Sequence, residues 1–206
     1  MPRALSRSEV DDFKQRLCAA AENLILRRGG PDFTMRDLAA EAGCSPMLPY
    51  RYYKDKVDII AAVRAAAFRR FAAELEAPRS APGDTVAHSR AVGDAYVAFA
   101  FAHPHLYRLM FDMAPVERGR YPELDSAIEQ ARGTMTRHVE DLVRLGFLTG
   151  EPEIIGHVFW ASLHGLIVLQ LAGQLAAEPG FEKLRAATLG ALVNGLRADL
   201  PKAPGA

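Results

Sequence analysis

The sequence is poor in cysteine and has no excess of either charge, and each shortage excludes a class of protein. Its two cysteines, Cys18 and Cys44, lack the spacing of a disulfide framework or a zinc site, so we expect both to be reduced and buried as small hydrophobic residues. The 25 basic residues are balanced by 25 acidic ones. This balance argues against a protein that coats nucleic acid indiscriminately, because such proteins need a large basic excess.

Signals for export and for membrane insertion are also missing. No segment joins a basic start to an apolar run and a small-residue cleavage site, as a secretory signal does. The longest apolar stretch, residues 158–171, is interrupted by Ser162, His164 and Gln170 and is too short to span a bilayer. We therefore expect a cytoplasmic protein without a membrane partner.

Strand-like alternation is absent as well, and apolar residues recur instead at intervals of three and four. Phe13, Leu17 and Leu24 mark a first amphipathic helix that ends at Gly29. The same spacing continues along most of the 206 residues, interrupted by segments rich in proline and glycine at 77–83 and 114–122. The pattern predicts an all-α fold of about nine helices, with a disordered tail at residues 201–206.

Residues 34–53 have the pattern of two short helices joined by a tight turn. Thr34 followed by Asp37 has the spacing of a helix-capping box, and Gly43 is a small residue where the first helix must stop. Ser45 and Pro46 then suit the cap and first position of a second helix. A helix-turn-helix of this kind lays its first helix across the DNA backbone and presents its second to the major groove.

Residues 33–60 go further, because they resemble the DNA-binding domain of the TetR family of transcriptional regulators. The resemblance is carried by Thr34, Leu38, Ala39, Ala42, Gly43, Ser45, Tyr50, Tyr52, Tyr53 and Lys56, with Tyr53 where the family usually has phenylalanine. With the flanking helices it covers residues 8–60. Residues 103–111 and 160–165 look like the C-terminal regulatory domain of one TetR subgroup, which carries a Trp…His-Gly motif.

The resemblance implies a DNA-binding domain at residues 1–56, with its core at 8–56, and a regulatory domain at 57–200. The first is a three-helix helix-turn-helix unit, and the second is a helical bundle for ligand binding and dimerisation. The distribution of charge has the sign expected for an N-terminal DNA-binding domain. Residues 1–56 carry 10 basic and 8 acidic side chains, and the remainder carries 15 basic and 17 acidic ones. No cofactor or metal is implied.

The DNA-contacting residues fall into two groups by the chemistry of their side chains. Phosphate contacts are expected from Thr34, Ser45, Tyr50, Tyr52 and Lys56, which offer hydroxyls, helix-end amides and a charge. Base contacts are expected from Arg36, Pro46, Met47 and either Leu48 or Arg51. Arg36 suits a guanine, whereas Pro46 and Met47 have only apolar surface and suit thymine methyl groups.

Other roles remain open for some of these side chains. Tyr50, Tyr52 and Tyr53 would also serve as packing residues, and for Tyr53 packing is the preferred interpretation. Arg51 and Lys54 would also serve as solvated charges. Pro49 departs from the leucine or isoleucine of many relatives, and it removes the first hydrogen bond within the second helix. We therefore expect that helix to start irregularly.

The candidate ligand-binding residues in the second domain are Tyr96, Phe99, Met110, Met135, His138, Trp160 and His164. Aromatic and methionine side chains at helical spacing more often fill a core, and that alternative stays open for each of them. Trp160 and His164 are four residues apart and share a helix face. His103 and His105 have no acidic or thiol neighbour in sequence and are not interpreted as a metal site.

The resemblance also implies that the last two helices pair with their copies in a homodimer. Small residues on those helices, such as Gly165, Gly190 and Gly195, would permit the close approach. The leading hypothesis is a dimeric repressor that binds a near-palindromic operator and is released by a small, largely apolar effector. The alternatives are a helical enzyme using His138 and His164, or a small-molecule-binding family member that has lost operator binding.

Overall fold

A computed structural model describes residues 6–80, 83–111 and 119–197 of the chain. These residues form eight α-helices and two short 3-10 helices, and within them the only β-type pairing is an isolated bridge between Leu148 and Arg197. The all-α prediction is confirmed. The helices are α1 (Arg7–Arg28), α2 (Met35–Glu41), α3 (Lys56–Glu76), α4 (Thr85–Ala102), α5 (Pro104–Phe111), α6 (Pro122–Arg144), α7 (Pro152–Leu171) and α8 (Gly180–Leu196). The expected tail at 201–206 lies outside the described residues.

The difference between eight α-helices and the expected nine arises at one place. The helix expected to open at Ser45 is a succession of turns that ends in a 3-10 helix, Pro49–Arg51. A second 3-10 helix, Ala77–Ser80, continues directly from the end of α3.

Contacts between backbone positions divide the described chain into two compact units. The first unit contains residues 6–70 and the described part of 103–130, and we call it the DNA-proximal unit because it includes the segment that resembles a DNA-binding domain. The distal unit contains 83–102 and 131–197 together with 71–80. The first unit thus includes α5 and most of α3, whereas the sequence predicts a domain limit at residue 56. That limit divides the chain by expected function and remains a prediction.

The core of the DNA-proximal unit is built by α1, α2, α3 and α5. Leu17 and Ile25 of α1, Leu38 of α2 and Ile59 of α3 are fully buried in one cluster, which Leu106 of α5 joins. Burial of each such side chain stabilises the fold by about 1.5–3 kcal/mol. The short helix α5 is therefore an integral part of this core.

Arg64 is an unusual member of this unit because its charged side chain is buried. Its Nη2 donates to the carbonyl oxygen of Met110 at 3.1 Å, close to the end of α5. Burial lowers the pKa of the Arg64 guanidinium below its ordinary value. The hydrogen bond fixes the end of α5 to α3.

In the distal unit, Phe71 packs edge-on against Tyr96 and Phe99, with both pairs of ring centroids 5.1 Å apart. Tyr96 in turn accepts a hydrogen bond from Trp160 Nε1 at 3.1 Å. A second cluster is centred on Val139 and contains residues of α6, α7 and the turn between them. These contacts hold α4, α6 and α7 around a shared interior.

Helix α7 is long and apolar enough, by length and composition alone, to cross a membrane. The apolar run at 158–171, too short by itself to span a bilayer, is part of this 20-residue helix. The packed helix of a water-soluble protein also meets this test, and 22% of the α7 window is buried within the chain.

Candidate nucleic-acid interface and ligand cavity

Helix α2 begins at the capping box that its sequence predicts. The Thr34 hydroxyl accepts from the Asp37 amide at 3.1 Å, and the Asp37 carboxylate accepts from the Thr34 amide at 2.8 Å. Arg28 of α1 donates to the same carboxylate at 3.0 Å. Donation by the Thr34 amide, followed by that of Arg28, lowers the pKa of Asp37 from 3.8 to about 2.

Arginines of α1 also hold the other end of α2. Arg27 pairs with Glu41 through both guanidinium nitrogens, and Arg16 donates to the carbonyl oxygen of Ala42 at 3.2 Å. The acceptor Ala42 is the C-cap residue, whose carbonyl has no partner within the helix. Helix α2 is thus fixed to α1 at both ends.

The turn after α2 depends on Gly43, which adopts a left-handed backbone conformation with φ of 64°. Its amide donates to the Ala40 carbonyl, and the Cys44 amide donates to the Ala39 carbonyl at 2.9 Å. These two bonds form a Schellman motif, and glycine is the residue that meets its backbone requirement most easily. The turn therefore has the small residue that the sequence pattern required.

The recognition segment, residues 45–53, follows with hydrogen bonds mostly between residues three apart, although Tyr53 donates to Pro49, four residues before it. Leu48 donates to Ser45, Arg51 to Leu48 and Tyr52 to Pro49, at 3.0 to 3.1 Å. In an α-helix the Ser45 carbonyl would accept from residue 49, but a proline there has no amide hydrogen. The buried Pro49 therefore accounts for the tighter 3-10 geometry.

This segment presents an apolar and aromatic surface to solvent. Met47 is 70% exposed and Tyr50 is 49% exposed, and Ser45, Pro46 and Arg51 are exposed beside them. Arg36 and Thr34 of α2 are also exposed. Most of the predicted DNA-contacting residues are therefore accessible.

Two predicted phosphate contacts are more enclosed than the others. Tyr52 is half-buried, with its ring centroid 4.9 Å from that of Phe13. Lys56 is also half-buried, and its Nζ donates to the carbonyl oxygen of Pro31 at 3.2 Å and lies 5.8 Å from the centroid of the Phe33 ring. Both side chains pack within the unit, and their DNA contacts remain predictions.

Tyr53 packs against the core through its ring, and its hydroxyl lies 3.5 Å from the Cys18 sulfur. Burial, followed by the interaction with Cys18, raises the pKa of the Tyr53 hydroxyl well above its ordinary value. Burial likewise raises the pKa of the Cys18 thiol. This pair joins the recognition segment to α1.

Sequence reasoning did not identify the residues that fix the start of α3. The Asp55 carboxylate accepts from the amides of Val57 and Asp58, at 2.8 and 3.1 Å. Asp58 accepts from the amide of Lys54 and from the hydroxyl of Tyr121, each at 2.9 Å. The position of Asp55 two and three residues before Val57 and Asp58 is a sequence signal for a helix cap. The bond from Tyr121, which is 63 residues away in sequence, has no such signal.

The seven candidate ligand residues are not all brought together, although Trp160 contacts both Tyr96 and His164. Met110 is buried in the DNA-proximal unit, and the other six lie in the distal unit. Tyr96 and Phe99 are buried against Phe71, and Met135 is half-buried on α6. Trp160 and His164 are in contact, with ring centroids 5.9 Å apart, as their spacing predicts.

A cavity of about 570 Å³ lies in the distal unit among α4, α6, α7 and α8. Of the seven candidates only His138 lines it. Its walls combine apolar side chains with three arginines and two carboxylates. The charged lining residues are Arg90, Asp94, Glu182, Arg185 and Arg197. Apolar lining residues include Phe147, Phe159, Leu163 and Val193.

Comparison with protein-family models gives two matches. Residues 89–192 match the tetracyclin repressor-like C-terminal domain, and residues 17–63 match the tetR family of bacterial regulatory proteins. The chain belongs to the TetR family. It is a transcription regulator with an N-terminal DNA-binding domain. Comparison with curated proteins gives no match.

Solved structures resemble this TetR-family regulator over almost its whole length. A protein of unknown function from Rhodococcus sp. RHA1 is 26% identical, covers 95% of this chain and 98% of its own, and has a TM-score of 0.77. A TetR-family transcriptional regulator from Pectobacterium atrosepticum is 21% identical, with coverages of 96% and 99% and a TM-score of 0.69. At that identity the second shows a shared fold.

The family match places the DNA-binding part of this TetR-family regulator across α1, α2, the recognition segment and the start of α3. The C-terminal match includes every cavity-lining residue named above except Val193 and Arg197. The likeness of residues 160–165 to one TetR subgroup remains a prediction. Within the described ranges, no group of three His, Cys, Asp or Glu side chains is placed to hold a metal.

Proposed function

We propose that this regulator is a homodimeric repressor that binds a near-palindromic DNA operator and is released from it by a small effector. The observation that carries the proposal is the recognition segment, which exposes Met47 and Tyr50 immediately after the turn at Gly43. In a helix-turn-helix, the side chains exposed just after the turn are the ones that enter the major groove. A segment used only for packing would have buried them.

Base reading is assigned to Arg36, Pro46, Met47 and Arg51, all of which are exposed. Arg36 has the donors for a bidentate contact with guanine, whereas Pro46 and Met47 would pack against thymine methyl groups. Phosphate positioning is assigned to Thr34, Ser45, Tyr50, Tyr52 and Lys56. Their hydroxyls, backbone amides and charge would set the register of the protein on the duplex without distinguishing one base sequence from another.

The proposed dimer is supported by one face of α7. Residues along this face recur at three- and four-residue intervals and are apolar or small: Ile154, Val158, Ala161, Gly165 and Val168. Ile154 is 63% exposed within the single chain. An apolar stripe of this length is typical of a surface that a second helix covers.

Helix α8 supports the same surface, since none of its residues is buried in the single chain. A Cβ atom built at Gly165 or Gly195 would meet no other atom within 4 Å. These glycines therefore border open space, into which another backbone can approach closely. Two copies of α7 and α8 would form a four-helix interface and place two recognition segments roughly 34–36 Å apart, or a multiple of that distance.

Release by an effector would be a shift between two populations of the dimer. The effector would bind better to the state whose recognition segments are wrongly spaced for successive major grooves. The cavity among α4, α6, α7 and α8 is its proposed site. The protein acts in the cytoplasm, where its operator is, and carries out no catalytic reaction.

Selection of operators from random duplex DNA tests the proposal. Purified protein should recover an inverted repeat, and its half-sites should be related by the twofold axis of the dimer. Recovery of unrelated sequences, or of none, would reject DNA-specific regulation and favour the alternative of a ligand-binding protein that has lost operator binding.

A further inference from the structure

The cavity in the distal unit has a charged side as well as an apolar one. Along α8, its lining residues Glu182, Arg185 and Val193 fall on one helix face. Arg185 pairs with Asp94 of α4 and with Glu182 of α8. Val193 lies two turns further along α8, against the apolar cluster that contains Leu148.

Arg185 is the feature of this cavity that packing alone does not explain. Its side chain is 16% exposed, whereas its partners Asp94 and Glu182 are 65% and 74% exposed. The two carboxylates engage its terminal nitrogens, but its Nε is fully buried and has no hydrogen-bond partner. A buried donor on a charged group without an acceptor is destabilising, so this Nε–H has a strong preference for an added acceptor.

The charge of the lining favours a negatively charged acceptor. Three arginines, Arg90, Arg185 and Arg197, outnumber the two carboxylates, Asp94 and Glu182. A cationic ligand would meet repulsion from this set, and a neutral one would gain less from the guanidinium than an anion does.

The rest of the lining suits an apolar body. Phe147, Phe159, Leu163 and Val193 contribute carbon surface to the same cavity. Its volume of about 570 Å³ lies within the range of pockets that enclose small organic ligands. An occupant that uses both sides must therefore be amphipathic.

We propose that the effector of this regulator is an amphipathic monocarboxylic acid, with its carboxylate paired with the Arg185 guanidinium and its apolar body against Phe159 and Leu163. This inference rests on the proposed function and deepens it, because it gives the effector a chemical class and an orientation. It also changes the expectation of a largely apolar effector, since an acidic head group becomes part of recognition.

Binding can be measured through Trp160, the single tryptophan of the chain. It is adjacent in sequence to the cavity-lining Phe159 and lies on the same helix as Leu163. The probes are decanoate and 4-phenylbutanoate, each compared with its alcohol and its primary amine, titrated into the full-length protein without DNA. At least one acid should change the Trp160 emission saturably, and more tightly than its alcohol and its amine.

The Arg185→Met variant should bind the acid about ten- to a hundredfold more weakly and leave the alcohol unaffected. Arg185→Lys keeps a charge opposite Asp94 but lacks the Nε donor, so it should also weaken the acid. Arg144→Met removes an equivalent charge from a side chain that is 71% exposed, and it should change nothing. Circular dichroism of each variant checks that the fold is kept.

Val193→Phe locates the site independently of Arg185, because added volume in the cavity should exclude both acid and alcohol. The proposal is overturned if acid and alcohol bind equally, if the amine binds best, if Val193→Phe binds as before, or if no acid binds at millimolar concentration. Operator selection is a separate measurement. An operator recovered without acid binding rejects this inference alone, and acid binding without an operator rejects the proposed function.

Discussion

The backbone amide of Leu48 donates to the carbonyl oxygen of Ser45 across 3.0 Å. In an α-helix that carbonyl would accept from residue 49, which is a proline without an amide hydrogen. The contact between Ser45 and Leu48 thus sets the pitch of the surface that is proposed to meet DNA. Base-contacting side chains in a 3-10 segment are rotated relative to their positions in an α-helix, with three residues per turn in place of 3.6.

Replacing Pro49 should therefore change which bases are read. In Pro49→Leu the new amide can donate to Ser45, so we expect the segment to become α-helical and the helical circular-dichroism signal to increase. Operator selection should give a different preferred half-site. Pro46→Ala is the control for the circular-dichroism signal alone, because an amide at the first helical position has no partner within the helix and Pro46 is itself a proposed base contact. An unchanged half-site in Pro49→Leu would show that the pitch does not affect base reading.

Removing Arg36 should relax sequence preference at a single base pair of each half-site. The loss of a bidentate contact with guanine is expected to reduce discrimination there by about 1–3 kcal/mol. Lys54→Ala removes a charge from an exposed position of the same unit and should leave base preference as it was. Competition binding with single-base operator variants makes the measurement, and equal loss at all positions in Arg36→Ala would assign that residue to the phosphates.

Loss of the Thr34 hydroxyl should destabilise the DNA-proximal unit. Thr34→Ala deletes the acceptor of the Asp37 amide at the start of α2, which is expected to reduce the free energy of unfolding by about 0.5–2 kcal/mol. Urea denaturation provides the value. Thr34→Ser keeps the acceptor and should be close to the original protein, so equal destabilisation by both substitutions would contradict a capping role.

The Asp37 carboxylate should make the free energy of unfolding depend on pH. Its pKa is 3.8 in the reference state and about 2 in the folded protein, so the folded state favours the ionised form. The resulting stabilisation is complete above pH 3.8 and is lost as the pH falls through about 2. Asp37→Asn has no such dependence. The difference in unfolding free energy between the two proteins should shrink as denaturation is repeated from pH 5 towards pH 2, and a constant difference would show that ionisation is not involved.

A side chain at Gly165 should separate the proposed dimer without harming the single chain. Gly165→Leu places its side chain in open space and replaces glycine by a better helix former, a gain of up to about 1 kcal/mol in helix propensity. We expect a monomer by analytical ultracentrifugation and loss of binding to the full inverted repeat. Ala19→Leu, at an exposed position of α1, is the control. A stable Gly165→Leu dimer would move the interface elsewhere.

Sequence reasoning reached those parts of the fold that local chemistry determines. The limits of α2 follow from Thr34, Asp37 and Gly43, because a capping box and a left-handed glycine act within a few residues of themselves. The effect of Pro49 was foreseen as an irregular start, but its extent depends on the succession of bonds through Leu48 and Arg51. That succession also depends on burial of the proline ring, which the sequence does not display.

The ligand cavity was the part least accessible to sequence. Helical spacing correctly put Trp160 beside His164, but it did not identify Arg185 as a lining residue. The position of Arg185 depends on the approach of α8 to α4 near Asp94, 91 residues away in sequence. Aromatic residues such as Phe99 share the same spacing whether they line a cavity or fill a core, so spacing alone does not separate these roles.

The recognition segment is held in place by residues other than its proposed base contacts. Gly43 fixes its beginning, Pro49 is buried beneath it, and the Asp55 cap begins the helix that follows. Pro46 and Met47 are exposed between these fixed points, so their replacement should cost little stability. New operator preferences are therefore accessible by changing a few outward-facing side chains, both during divergence of duplicated genes and in the construction of regulators for chosen promoters.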